Sequence, residues 1–262
     1  MRLAVAGTVA LLLALAQVSS AEGESVAFRL FRATGSVYAE YAGYKLDENG
    51  KLHLKKTRWF PFGSAWAYRS TNSLSIWITN AHVLEAAPVA IGGLPDGLLY
   101  KPTKRWGIRR RGTEVEPVVL IPAIDTSRDL AALILPKPSD AIECIYEGDV
   151  PEETEVVSVS FPLGIRYAVS HGRVMRAHRN DYDGFEKFPQ PGGYSAGELW
   201  LDMRLTHGSS GAPVVLESTG CLVGVVRGYA VAAAFLMIQM GETIPFAIPS
   251  PAVIEFLRQN NL

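Results

Sequence analysis

The sequence predicts an all-β protein, a barrel or sandwich ending in one helix. Three observations carry the prediction. Short runs rich in Val, Ile, Tyr and Trp recur along the chain, separated by Gly, Pro, Asn and Asp. Within them side chains alternate, or are apolar throughout, as half-buried or fully buried strands require. Helical periodicity is nearly absent until the C-terminus.

The elements follow in order. "SVYAEYAGYKL" (36–46) and "KLHLKK" (51–56) flank Glu48–Lys51, "ENGK", whose Asn-Gly pair signals a type I′ hairpin turn. Further strands are expected at "SIWITN" (75–80), "PVVLIP" (117–122), "LAALIL" (130–135), "EVVSVSF" (155–161), "CLVGVV" (221–226) and "PFAIP" (245–249). The helix is "SPAVIEFLRQN" (250–260). Ser250 is read as its N-cap and Pro251 as N1, with Val253, Phe256 and Leu257 forming an apolar face. The Pro- and acid-rich stretch 136–154 divides the chain into halves 22–140 and 141–262.

With 262 residues, 48% hydrophobic, the chain has ample material for a core. Its formal net charge of −1 implies no bulk attraction to nucleic acid or to acidic membranes. The basic stretch Lys101–Gly112, "KPTKRWGIRRRG", is read accordingly as a solvated hairpin, not a nucleic-acid surface. Residues 1–21 read as a secretory signal peptide. Arg2 precedes an apolar run from Leu3 to Ala16, and small residues offer cleavage after Ala16 or Ala21. The alternative, an uncleaved anchor, is weakened because the run falls short of the ~20 residues a spanning helix needs. A periplasmic or secreted location follows. There Cys144 and Cys221 either pair or remain two buried thiols. Two cysteines without H-E-x-x-H or C-x-x-C predict no metal, and nothing points to a cofactor.

The chemistry centres on "THGSSGAPVV" (206–215), two serines between glycines. A serine hydroxyl needs a base to take its proton, a carboxylate to orient that base and donors for the developing oxyanion. The five histidines are at 53, 82, 171, 178 and 207, so none follows Ser210. That removes the order Ser-acid-His of α/β-hydrolases. An Asp-His-Ser order would rest on Asp47, in a hairpin turn. The order His-Asp-Ser remains. His82 follows a buried strand in "IWITNAHVL", and Asp129 enters an apolar strand in "DTSRDLAALIL", with Asp125 as its rival.

"TNAHVL", "DLAALIL", "FPLG", "VSHGRV", "HGSSGAPV" and "PFAIPS" together resemble the trypsin-like serine peptidases, and among them the bacterial HtrA/Deg type. The resemblance runs from Gly63 to the C-terminus. It implies two six-stranded antiparallel β-barrels with the active site between them. It assigns His82 as general base, Asp129 as the orienting acid and Ser210 as nucleophile, with the N–H groups of Gly208 and Ser210 as oxyanion hole. Ser209 stands where relatives carry Asn or Asp, which argues against activation by a new N-terminal amine. Arg204, Leu205, Thr206 and His207 fall near the primary specificity pocket. Arg204 there would favour acidic substrates, unless it points away or pairs with Asp202. Val225, Val226 and Arg227 fall on the strand that pairs with substrate backbone. Bacterial glutamyl endopeptidases have His where this chain has Val226, which speaks against acidic specificity. Apolar Tyr229–Met240 suggests a substrate rim or a buried loop, and preference for a small or medium aliphatic residue. Residues 177–199 form a Gly/Pro-rich candidate activation or specificity element. No PDZ domain follows the helix in this sequence. The expected activity is endopeptidase cleavage of peptide or unfolded protein, with homo-oligomerisation left open. The competing reading is a weakly active or inactive peptidase fold acting as chaperone or binding module.

Overall fold

The computed structural model describes residues 24–85, 90–91, 94–164, 166–177, 198–231 and 243–262. Strands dominate it, in two antiparallel systems. The first comprises β1 (Thr34–Leu46), β2 (Leu52–Ser70), β3 (Ser75–Thr79), β4 (Leu99–Arg109), β5 (Glu116–Pro117), β6 (Leu120–Asp125) and β7 (Leu130–Leu135), ordered β5-β4-β1-β2-β3-β7-β6. Its ends meet through one segment. Val118 N–H donates to Trp106 O on β4, and the next residue, Val119, donates to Ile134 O on β7. Residues 116–125 therefore pair with both edges, and the ladder runs round as six chain segments. This is how a seven-stranded order approaches the expected six-stranded barrel, while the first part of β2, Leu52 to Gly63, ladders with β1 alone because β3 pairs only with its end.

The second system is a closed barrel, β10-β13-β12-β11-β8-β9. Its strands are β8 (Glu155–Ser160), β9 (Ala168–Ala177), β10 (Leu199–Asp202), β11 (Pro213–Leu216), β12 (Leu222–Val231) and β13 (Thr243–Pro249). Each barrel encloses its own core. Val37, Tyr41, Trp77, Tyr100 and Leu133 fill the first; Val156, Val174, Leu201, Val214 and Val226 fill the second. A third cluster joins the halves, bringing Trp66, Ile78 and Leu130 against Val157, Val225 and Ile248. Burying each such large side chain contributes about 1.5–3 kcal/mol, so this cluster holds the halves together.

Three local details differ from the sequence reading. The β1–β2 turn is not type I′. Gly50 N–H donates to Asp47 O, and Gly50 alone in the turn has positive φ, 74°. A type I turn closed by a left-handed glycine needs one such residue, and Asp47 favours it by accepting from the N–H groups of Asn49 and Lys51. The C-terminal helix, α3 (Ser250–Gln259), has Pro249 as N-cap. Ser250 makes no cap because its hydroxyl donates instead to Tyr146 O at 2.6 Å, tying the helix to the second half. Val253, Phe256 and Leu257 are buried as expected. A helix not anticipated, α1 (Val26–Arg32), is capped by Ser25 and buries Leu30 and Phe31. At seven residues it is too short for its periodicity to stand out.

Cys144 and Cys221 form a disulfide, Cα–Cα 4.7 Å apart across 77 residues of sequence. Backbone bonds from Leu222 N–H to Cys144 O and from Tyr146 N–H to Leu222 O flank it. The basic stretch after Tyr100 is largely strand β4, and its charges have local partners. Arg105 pairs with Glu40 and Arg110 with Glu116, while Arg109 lies over Tyr38 and donates to Gly164 O. Residues 1–21, most of 177–199 and 232–240 lie outside the described residues. No helix among those described is long and apolar enough to cross a membrane.

Candidate active site

β3 leads into the His82 segment. Its buried Ile78 and Thr79 run through Asn80 into the short helix α2 (Ala81–Glu85), which carries His82 at the surface between the halves. Asp129 sits in the β6–β7 turn with φ 58°, a left-handed conformation that Asp tolerates better than most residues. Asn80, fully buried, holds that turn by donating from Nδ2 to Asp129 O at 3.0 Å. The Asp129 carboxylate grips His82 twice. Oδ1 accepts from His82 N–H at 2.9 Å, and Oδ2 lies 2.7 Å from Nδ1. Asp129 is buried and His82 is partly exposed, its side chain 42% accessible. A carboxylate so placed keeps the proton on Nδ1 and leaves Nε2 open as acceptor. The rival Asp125 is engaged elsewhere, accepting from Ser127 Oγ, Arg128 N–H and Arg128 Nη1.

The serine loop is held by β2. Ser64 N–H donates to Ser210 O at 2.8 Å, Ser64 Oγ donates to Gly208 O, and Phe161 N–H donates to Ser64 Oγ. Thr79 Oγ1 donates to Ser64 O. One small residue thus links both halves to the loop. Gly211 has φ 86°, and a Cβ there would lie 2.1 Å from Ser64 O, so only glycine fits. Gly208 also has positive φ, 92°. Among the described residues, no hydrogen bond engages the N–H of Gly208 or Ser210, leaving two donors beside the serine. Ser209 is buried. Its Oγ donates to Ser160 Oγ and accepts from Thr206 N–H, so this hydroxyl braces the loop from within.

Ser210 Oγ donates to Arg227 O at 3.2 Å. Arg227 Nε in turn lies 3.3 Å from Asp129 Oδ2, which closes a chain of contacts from Ser210 to His82. The carbonyl is available because β12 bulges there: Val226 pairs with Ala247 and Gly228 with Phe246, leaving Arg227 as the extra residue. Arg227 Nη1 is 3.1 Å from Glu198 Oε1. Burial pushes the Glu198 carboxyl above its ordinary range, opposed by the Arg227 charge. Glu198 thus holds its proton more firmly folded than unfolded. Its contribution to stability is complete below the unfolded-state value and is lost as pH rises through the folded one.

The other residues on which substrate contact was expected divide by position. Arg204, Thr206 and His207 are exposed; Arg204 O accepts from Ser170 Oγ. Leu205 is buried in the second barrel, Val226 likewise, and Val225 faces the cluster joining the halves. Ser64, Ser160 and Glu198 were not anticipated, since a lone Ser or Glu carries no motif; Asn80 lies within "TNAHVL", but the motif does not say what it holds. Among the described residues no group of acidic, His or Cys side chains could hold a metal.

The trypsin-like peptidase domain family matches residues 63–225. The fold resembles that of the HtrA-type protease AlgW with a decapeptide, at TM-score 0.68 and 18% identity, covering 90% of this chain and 66% of that one. It resembles an inactive form of Rv3671c from M. tuberculosis, at TM-score 0.60 and 16% identity, over 90% of both chains. The serine endoprotease from Yersinia pestis follows at TM-score 0.58 and 17% identity, covering 90% of this chain and 65% of that one. The chain thus spans just under two thirds of the AlgW and Yersinia chains. No curated protein matches it significantly in sequence. A family match over more than half of the chain, on an antiparallel β fold with a closed barrel, settles membership: this chain belongs to the trypsin-like peptidase family.

Proposed function

We propose that the protein is a serine endopeptidase acting outside the cytoplasm on peptides or unfolded proteins. The observation that carries this reading is the two-point grip of Asp129 on His82, 2.9 and 2.7 Å, beside a serine flanked by unengaged N–H donors. Ser210 attacks the peptide carbonyl as His82 Nε2 takes its proton. Asp129 stabilises the imidazolium, and the N–H groups of Gly208 and Ser210 receive the oxyanion. His82 then protonates the leaving amine, and water activated by His82 hydrolyses the acyl-enzyme. β12 offers its backbone near Arg227 to the substrate, with Arg204, Thr206 and His207 at the rim. The apolar leader and the Cys144–Cys221 disulfide support an oxidising location.

One observation favours the competing reading of a binding module. Ser210 Oγ is bonded to Arg227 O and makes no hydrogen bond to His82. Unliganded sites often leave this bond unmade until substrate arrives. Incubation with an unfolded protein distinguishes the readings. Discrete new termini appearing catalytically, mapped by mass spectrometry, are expected. Stable binding without new termini would leave only the module.

A further inference from the structure

We propose that Arg227 is a positioning residue of the triad, its guanidinium bracing the Asp129 carboxylate against His82 while Glu198 offsets its charge. The inference rests on the peptidase reading of the site. Arg227 is only 5% exposed. A buried guanidinium is costly, and well-packed apolar residues usually serve a core at least as well. Here it lies at the catalytic carboxylate. Its Nε is 3.3 Å from Oδ2, the oxygen that also meets His82 Nδ1. With Oδ1 taken by His82 N–H, both carboxylate oxygens are fixed. The β12 bulge makes this geometry: the extra residue leaves the β13 register, and its side chain reaches the acid while its carbonyl reaches Ser210.

The charges then matter by sign. A cation beside Asp129 weakens that carboxylate's hold on an imidazolium. Glu198, 3.1 Å from Nη1, restores it, so the trio carries the single negative charge of a lone Asp. Among the described residues, the charged groups against this pair include Glu198 before β10 and His82 on α2. Arg128, next in sequence, turns instead to Asp125 and Glu255. Burial of Glu198 makes it easier to neutralise as pH falls.

Two substitutions with opposite expected effects test the proposal. Glu198→Gln leaves Arg227 unopposed, so the acid limb of kcat/KM should move to lower pH, by about half a unit. Arg227→Met leaves two carboxylates near His82, so the limb should move to higher pH by a similar amount, with kcat reduced. Arg227→Lys should return the limb toward its wild-type position. Should Arg227→Met not fold, the Glu198→Gln limb alone decides. The same comparison is made without turnover by following the His82 ring by NMR titration in a Ser210→Ala background. Opposed displacements support the proposal. Coincident limbs, or both moving the same way, overturn it. If the wild type cleaves nothing yet the ring titrations separate as stated, the peptidase reading falls and the Arg227 assignment stands. If it cleaves and they coincide, the reverse holds.

Discussion

Replacing His82 with alanine is expected to lower kcat/KM for peptide cleavage by about 10⁶-fold. Ser210→Ala should cost about the same, because nucleophile and base act as one unit. The double variant should be no slower than either single one. Asp129→Asn is expected to cost about 10⁴-fold. An amide keeps the shape but offers an N–H where Oδ2 accepts, so it favours the wrong imidazole tautomer. It also removes the anion that faces Arg227 Nε. Steady-state kinetics on one peptide, with circular dichroism as a folding check, measures all four. Single and double losses that multiplied would show independent groups and refute the triad.

The second large effect concerns stability. The Cys144–Cys221 bridge closes a segment with sequence separation 77. Constraining a loop of that length in the unfolded chain stabilises the native state by about 4 kcal/mol in the chain-entropy account. Cys144→Ser combined with Cys221→Ser should therefore lower the unfolding free energy by roughly 2–4 kcal/mol and Tm by about 10 °C. Denaturant unfolding of oxidised protein against the double variant checks this. The bridge ties the start of the second half to β12, the strand carrying Arg227. Loss of the bridge should thus loosen the site before the first barrel, and activity should fall at temperatures where the first barrel still holds.

Much of this was legible in the sequence, for identifiable reasons. Strands such as "LAALIL" and "EVVSVSF" declare themselves by unbroken or alternating apolar character, and they became β7 and β8. His82, Asp129 and Ser210 stand out as candidates because their order along the chain admits few architectures. The contacts that hold the serine loop were not legible. Nothing in "PFGSAW" announces that Ser64 joins both halves to the serine loop, because its four partners lie far away in sequence. Arg227 was expected on the strand that pairs with substrate backbone. That the bulge turns its side chain to Asp129 was not legible, because a one-residue shift of register leaves no mark in composition. The cysteine pairing was open for the same reason: it depends on distance.

The central claim is that Ser210 is an activated nucleophile. A fluorophosphonate reacts far faster with such a serine than with other hydroxyls and reports on it whatever the substrate. Intact-mass and peptide mapping of the labelled protein should place one adduct on Ser210, absent after Ser210→Ala and greatly slowed after His82→Ala. Labelling that persists unchanged in folded Ser210→Ala would contradict the account.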